Sequence, residues 1–186
     1  MKKNEYFTIP NLMGYFRILL IPVFLYLYYH AETTKEYVTA FAVLAISFLT
    51  DLFDGKIARK FNMVTDFGKI LDPIADKLTQ CAMAVAITFR FPTMVPFLVV
   101  FVCKELYMGI MGLYIMKKYG VVSGAQMFGK VCTAIMDVGI FFLLLLYDMP
   151  LQTANIIILV MVIMMFYAWI RYIMFHAELL KKYKNA

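Results

Sequence analysis

Residues 37–60 read YVTAFAVLAISFLTDLFDGKIARK, and the fold turns on how the two halves of that stretch join. The first half, 37–50, is an apolar run of 14 residues, short of the about 20 needed to span a bilayer. The second half is charged but holds no proline, and Gly55 is its weakest helix former. A helix need not stop where its apolar residues do, so this one is predicted to continue to about Lys60, past the membrane surface. Outward from it lie the apolar runs 13–29, interrupted by Arg17 and Pro22, then 77–91, 93–116, 131–147 and 151–175. The reading is an all-α integral membrane protein with six transmembrane helices, preceded by a short amphipathic interfacial helix over 7–13. The third helix is expected to begin near Phe67, with Pro73 early in it, where a missing backbone donor costs least.

Composition agrees. Of 186 residues, 63% are hydrophobic and 16% charged, with mean hydropathy +0.78, whereas a soluble domain has about 45–50% and about 25%. That excludes a disordered chain, a disulfide scaffold and an ordinary cytosolic domain. One domain, 1–186, is expected from the length. Cys81, Cys103 and Cys132 are odd in number and have no ligand spacing, and His30 and His176 stand alone, so zinc and disulfide readings fail.

The net charge of +6 comes from residues at membrane boundaries, which favours an anionic leaflet over nucleic acid. Lys2, Lys3, Lys56, Arg59, Lys60, Lys69, Lys117, Lys118, Lys181, Lys182 and Lys184 fall on one side, against Lys35 and Arg90 on the other. The positive-inside rule puts the rich side and both termini in the cytoplasm, for a multi-pass protein of the cell membrane. No small-residue cleavage site follows the first run, so it is read as a retained helix.

Asp51 and Asp54 are three apart, and Asp72 and Asp76 four apart, so each pair shares a helix face. A tight turn between the two helices would make four carboxylates converge near the cytoplasmic boundary. Each costs about 2.5–3.5 kcal/mol at a bilayer centre, less near its edge, and they repel one another. Something cationic must offset this, and an oxygen-only donor set favours Mg²⁺ or Mn²⁺. Four aspartates suit two ions about 3.5–4 Å apart, the arrangement used for phosphoryl transfer. Gly55 and Ala58 leave a bare stripe for a flat ligand, Gly68 does so on the facing helix, and Arg59 can meet a phosphate in bidentate fashion. The plainer alternative is a solvated loop bridged to Lys56, Arg59, Lys69 and Lys77, but a loop has no need of helical spacing.

The pattern Asp-x2-Asp-Gly-x2-Ala-Arg-x8-Gly-x3-Asp-x3-Asp over 51–76 resembles the signature of the CDP-alcohol phosphotransferase family at all eight specified positions. The resemblance implies six helices, a cytoplasm-facing site and a homodimer. It implies metal ligation by Asp51, Asp54, Asp72 and Asp76, with Asp76 also the catalytic base. CDP would be bound by Asn11, Asp54, Gly55, Ala58, Arg59, Thr65 and Gly68. The reaction implied is metal-dependent transfer from CDP-diacylglycerol to an alcohol, releasing CMP, within phospholipid biosynthesis.

For the acceptor, 71–77 and the opening Ile9-Pro10-Asn11-Leu12, followed by Arg17 and Pro22, resemble the phosphatidylglycerophosphate and cardiolipin synthase branch, with Gly14 where a Thr commonly follows the Asn. Lys77, Lys104, Glu105 and Lys130 would form the acceptor pocket. Lys104-Glu105 resembles an Arg-Glu dipeptide of phosphatidylglycerophosphate synthases, whose further Arg falls at Gly112 here, and Cys132 stands where a second Lys is usual. Glycerol-3-phosphate is a dianion that wants cations, so it and a less charged lipid alcohol such as phosphatidylglycerol both stay open. Lys104 and Glu105 could instead simply neutralise one another. Asp137 is read as pairing or lining, Arg171 as a snorkelling anchor, Trp169 as interfacial and the methionines at 161–165 as packing or lipid-facing surface. Two other classes are a cation- or proton-coupled transporter, whose acids usually sit at the midplane, and an inactive scaffold, which would have no reason to hold all four aspartates.

Overall fold

The computed structural model describes residues 6–121, 124, 126–146 and 148–184, and among them every regular element is helical. Lys2, Lys3 and Tyr147 lie outside the described residues, as does the side chain of Lys184. The long helices are α1 (Ile9–Tyr29), α2 (Thr34–Lys60), α3 (Gly68–Arg90), α4 (Val95–Tyr119), α5 (Met127–Leu145) and α6 (Leu151–Lys184), with a 3₁₀ turn at Pro92–Met94. They fall into two compact units, Met1–Phe89 and Arg90–Ala186.

In the first unit α1 packs along α2. Pro10 falls in the first turn of α1 and Pro22 inside it. Because a first-turn proline fits a helix, nothing between Ile9 and Met13 breaks the chain. Of the stretch 7–13 expected to form a separate interfacial helix, residues 9–13 are therefore the opening of α1 itself, with Thr8 as its N-cap. α2 starts two residues after Glu32 through a capping box: Glu36 N–H donates to the Thr33 hydroxyl at 3.4 Å, and Thr33 N–H donates to Glu36 Oε2 at 2.8 Å. It runs to Lys60 as expected. Its 27 residues make about 40 Å at 1.5 Å per residue, longer than a hydrocarbon core of about 30 Å. Asn62, at φ 53°, then turns the chain back in the left-handed region that asparagine tolerates. The buried face of α3 is small, with Ala75, Ala82, Ala84 and Ala86 all at or below 5% exposure, the close packing seen between membrane helices.

The second unit is built on α6, which packs against both α4 and α5. Its buried residues Ala154, Ile158, Met161, Met165, Ala168, Tyr172 and His176 recur every three or four positions, so they form one stripe. Met161 and Met165 are thus packing residues. On α5, Gly129 and Gly139 let the helices approach: a Cβ at Gly139 would lie 2.6 Å from Met161 Sδ, and one at Gly129 would overlap the Tyr172 hydroxyl. Tyr172 cannot easily retreat, since Phe128 and His176 hold its ring at 4.8 and 6.2 Å. Gly129→Ala is expected to destabilise the protein by about 1–3 kcal/mol through overpacking, read as a lower melting temperature in detergent.

Among the described residues, five helical segments are long and apolar enough to cross a membrane: Ile9–Tyr29, Thr34–Lys60, Pro92–Tyr119, Met127–Leu145 and Leu151–Tyr183. Large apolar side chains such as Leu19 and Ile156 are exposed along them, as lipid-facing surfaces require. The chain is a multi-pass membrane protein. α3 is not among the five, because Lys69, Asp72, Asp76 and Lys77 crowd its first turns.

Candidate active site

The first unit brings its charges to one point. On α2, Ser47, Asp51 and Asp54 follow at intervals of four and three. On α3, Asp72, Asp76 and Thr79 do the same, so each set lines a single stripe. Both stripes meet Arg17 of α1. Its Nη1 donates to Asp51 Oδ1 and, at 2.8 Å, to Asp76 Oδ1. Its Nη2 donates to Asp54 Oδ2 at 2.9 Å and to Asp72 Oδ1 at 3.4 Å. Arg17 is 2% exposed. Asp54 is buried beside it, while the side chains of Asp51, Asp72 and Asp76 retain 38%, 46% and 52% of their exposure. A cavity of about 190 Å³ adjoins the cluster, lined by Arg17, Ser47, Phe48, Asp51, Asp76, Thr79 and Gln80.

One guanidinium against four carboxylates leaves the site acidic, which suits it to cations. The four acids expected to converge are the four that do. Arg17, noted in the sequence only as an interruption of the first apolar run and part of the first-helix resemblance, is the site residue that sequence reasoning did not assign. The signal was there: an arginine inside an apolar run is costly unless it has a partner or a function. The basic residues of the motif itself turn elsewhere. Lys69 pairs with Asp66 at 2.8 Å, holding that loop carboxyl below its ordinary range first by hydrogen bonding and then by charge. Lys77 Nζ donates to Gln80 Oε1 at 3.1 Å, and Arg59 lies exposed beside Gly55, with Nη2 3.8 Å from where a Gly55 Cβ would sit. Ala58 is half-buried one residue before it.

Three of the residues expected to bind CDP form a cluster of their own. Asn11, buried in the first turn of α1, donates through Nδ2 to the Thr65 hydroxyl at 3.1 Å. That hydroxyl also accepts from Gly68 N–H at 3.0 Å, capping the start of α3. Gly68 must lack a side chain here, since a Cβ would fall 2.7 Å from Asn11 Oδ1. Nearby, a Cβ at Gly14 would come within 2.9 Å of Leu71 Cδ2, so a side chain at that position would press on α3 just before Asp72. Thr65→Val removes the hydroxyl on which Asn11 and Gly68 meet. A loss of about 1–3 kcal/mol is expected, read as a lower melting temperature than that of Thr65→Ser.

In the second unit Lys104 Nζ donates to Glu105 Oε1 at 2.6 Å and lies 5.9 Å over the Tyr172 ring. Lys104 is buried, so the pair neutralises a charge that α4 would otherwise bury alone. Lys130 is exposed on the first turn of α5, and Cys132 is buried two residues on.

A model of the CDP-alcohol phosphatidyltransferase family matches residues 7–174, a span that takes in the Arg17–aspartate cluster and the Asn11–Thr65–Gly68 cluster together. The chain belongs to the CDP-alcohol phosphatidyltransferase family. It is also similar to proteins named CDP-diacylglycerol–glycerol-3-phosphate 3-phosphatidyltransferase from Escherichia coli (strain K12), Shigella flexneri serotype 5b and Shigella boydii serotype 4. Each is 38% identical over 85 residues, covering 46% of this chain and 46% of the relative. The chain thus matches about half the length of these curated relatives.

The family is generally dependent on a divalent metal. The donor set fits such an ion: four carboxylates, with no thiolate or imidazole among them, are ligands for a hard cation. Among the described residues no three acids, histidines or cysteines already close on a common point as ligands. The point on which these four acids close is the guanidinium of Arg17.

Proposed function

We propose that this protein transfers the phosphatidyl group of CDP-diacylglycerol to an alcohol, releasing CMP. The observation that carries the reading is the meeting of Asp51 and Asp54 of α2 with Asp72 and Asp76 of α3 around one buried cation. These four residues would hold two divalent cations, Mg²⁺ or Mn²⁺. When bound, the metal charge stabilises negative charge gathering on the phosphates as the CMP group departs.

The rest is done by the chain. Asp76, half-exposed at the cavity, takes the proton of the acceptor hydroxyl. The acceptor oxygen forms a bond to the phosphatidyl phosphorus, and the bond from that phosphorus to the CMP oxygen breaks, with the electron pair leaving on CMP. Arg59 meets the pyrophosphate. The Asn11–Thr65–Gly68 cluster shapes the nucleotide pocket, with Asp54, Gly55 and Ala58 on the facing stripe. α3 serves as a sixth span, the whole chain works as one domain in a homodimer, and the site faces the cytoplasm, where the basic residues concentrate.

Glycerol-3-phosphate is the acceptor best supported, because the relatives that carry this half of the chain are named for it. Lys77, Lys104, Glu105 and Lys130 would receive it. One observation favours a lipid alcohol instead: Lys104 is already paired with Glu105 at 2.6 Å, and Gly112 and Cys132 add no charge. The two are separated by giving purified protein CDP-diacylglycerol and Mg²⁺ with glycerol-3-phosphate, with phosphatidylglycerol, or with neither, and identifying the product by mass spectrometry. Phosphatidylglycerophosphate is the expected product. Cardiolipin made from phosphatidylglycerol alone would reverse the acceptor assignment.

A further inference from the structure

We propose that Arg17 is a built-in counter-ion that competes with divalent cations for the four aspartates. The inference rests on the reading of those acids as the metal site.

Every hydrogen bond that the Arg17 guanidinium makes goes to an acid of that site: Asp51 and Asp76 from Nη1, Asp54 and Asp72 from Nη2. Its Nε is buried and has no partner among the described residues. Among the described residues nothing outside the acid cluster anchors the head group by a hydrogen bond, so whatever takes the acids takes all of those partners. Conversely, a guanidinium buried at 2% exposure in an apolar helix is tolerable only while carboxylates surround it.

The same contacts oppose a metal. Each aspartate turns one oxygen to Arg17, and in that arrangement no three described acids form a ligand group. To ligate an ion they must rearrange, and the charge of the guanidinium repels any second cation placed among them. Binding equilibria that share partners are reciprocal: the hold of Arg17 on the acids is what an incoming ion has to overcome. The residue therefore sets the cation concentration at which the site loads, and it keeps four like charges together below that concentration.

An arginine with the opposite role, one that arranges the acids for the metal, would strengthen metal binding. The two differ in sign, which makes the test decisive. Wild type, Arg17→Gln and Arg17→Lys are placed in nanodiscs of neutral phosphatidylcholine, and Mn²⁺ is titrated by the EPR signal of the unbound ion. Arg17→Gln is expected to bind Mn²⁺ about tenfold more tightly than wild type or better. In chelator it is expected to melt at a lower temperature, with a larger rise on adding Mn²⁺. Arg17→Lys keeps one charge on a head group that cannot reach four acids, so it too binds more tightly than wild type. It keeps the comparison alive if the glutamine variant does not fold. Equal or weaker Mn²⁺ binding by the folded variants overturns the proposal while leaving the metal site standing. Failure of wild type and both folded variants alike to bind Mn²⁺ overturns the metal site, and the proposal with it.

Discussion

Asp76→Asn is expected to abolish CMP release while leaving the protein folded. The amide keeps the shape of the carboxylate and keeps an oxygen to accept from Arg17 Nη1, now at 2.8 Å. Removing one of four clustered negative charges also relieves repulsion, so the melting temperature should hold. What disappears is the capacity to take a proton from the acceptor hydroxyl. General-base catalysis contributes about 10²–10⁴-fold, and the lost ligand charge acts in the same direction, so a fall of about 10³-fold or more is expected. CMP release by the variant and wild type, alongside their thermal melts, checks both halves. Normal turnover in Asp76→Asn would remove the base from the account, and an unfolded variant would make Asp76 a structural residue.

The second large effect is expected on chelation. With EDTA, CMP release should fall by about a thousandfold, since charge stabilisation by bound metal amounts to several kcal/mol. Mg²⁺ or Mn²⁺ should restore it. The fold should survive the treatment, because Arg17 still stands against Asp51, Asp54, Asp72 and Asp76. Loss of activity without loss of the helical circular dichroism signal is the expected pair of results. Activity indifferent to EDTA would contradict the reading of the four acids as metal ligands.

The parts of this fold that were legible in the sequence are those written in local spacing. The missing proline between Asp51 and Lys60 was enough to carry α2 beyond its apolar half, and the three- and four-residue intervals of the aspartates put each pair on one face. The beginning of α2 was legible too, since Thr33 and Glu36 spell a capping box, but the apolar run starting at Tyr37 drew the boundary too late. The opening of α1 was misjudged for a related reason: amphipathic spacing over 7–13 says which side faces lipid, not where one helix ends and the next begins.

Arg17 shows where single-sequence reading stops. Its acids lie 34, 37, 55 and 59 residues further along the chain. An unpaired charge in an apolar run announces that a partner exists, but not which one. The cation expected to offset the acids was a divalent metal, and the plainer alternative named only the lysines and arginine nearest in sequence, of which Lys69 pairs with Asp66. Lys104 and Glu105 are the reverse case, since adjacent charges on one helix found each other.

The most direct measurement is CMP release from CDP-diacylglycerol by the purified protein in Mg²⁺, with glycerol-3-phosphate present or withheld. CMP is expected in step with a phosphatidyl product, and only when an alcohol is supplied. No CMP with glycerol-3-phosphate, phosphatidylglycerol or any other alcohol, from a folded protein that binds Mn²⁺, would contradict it.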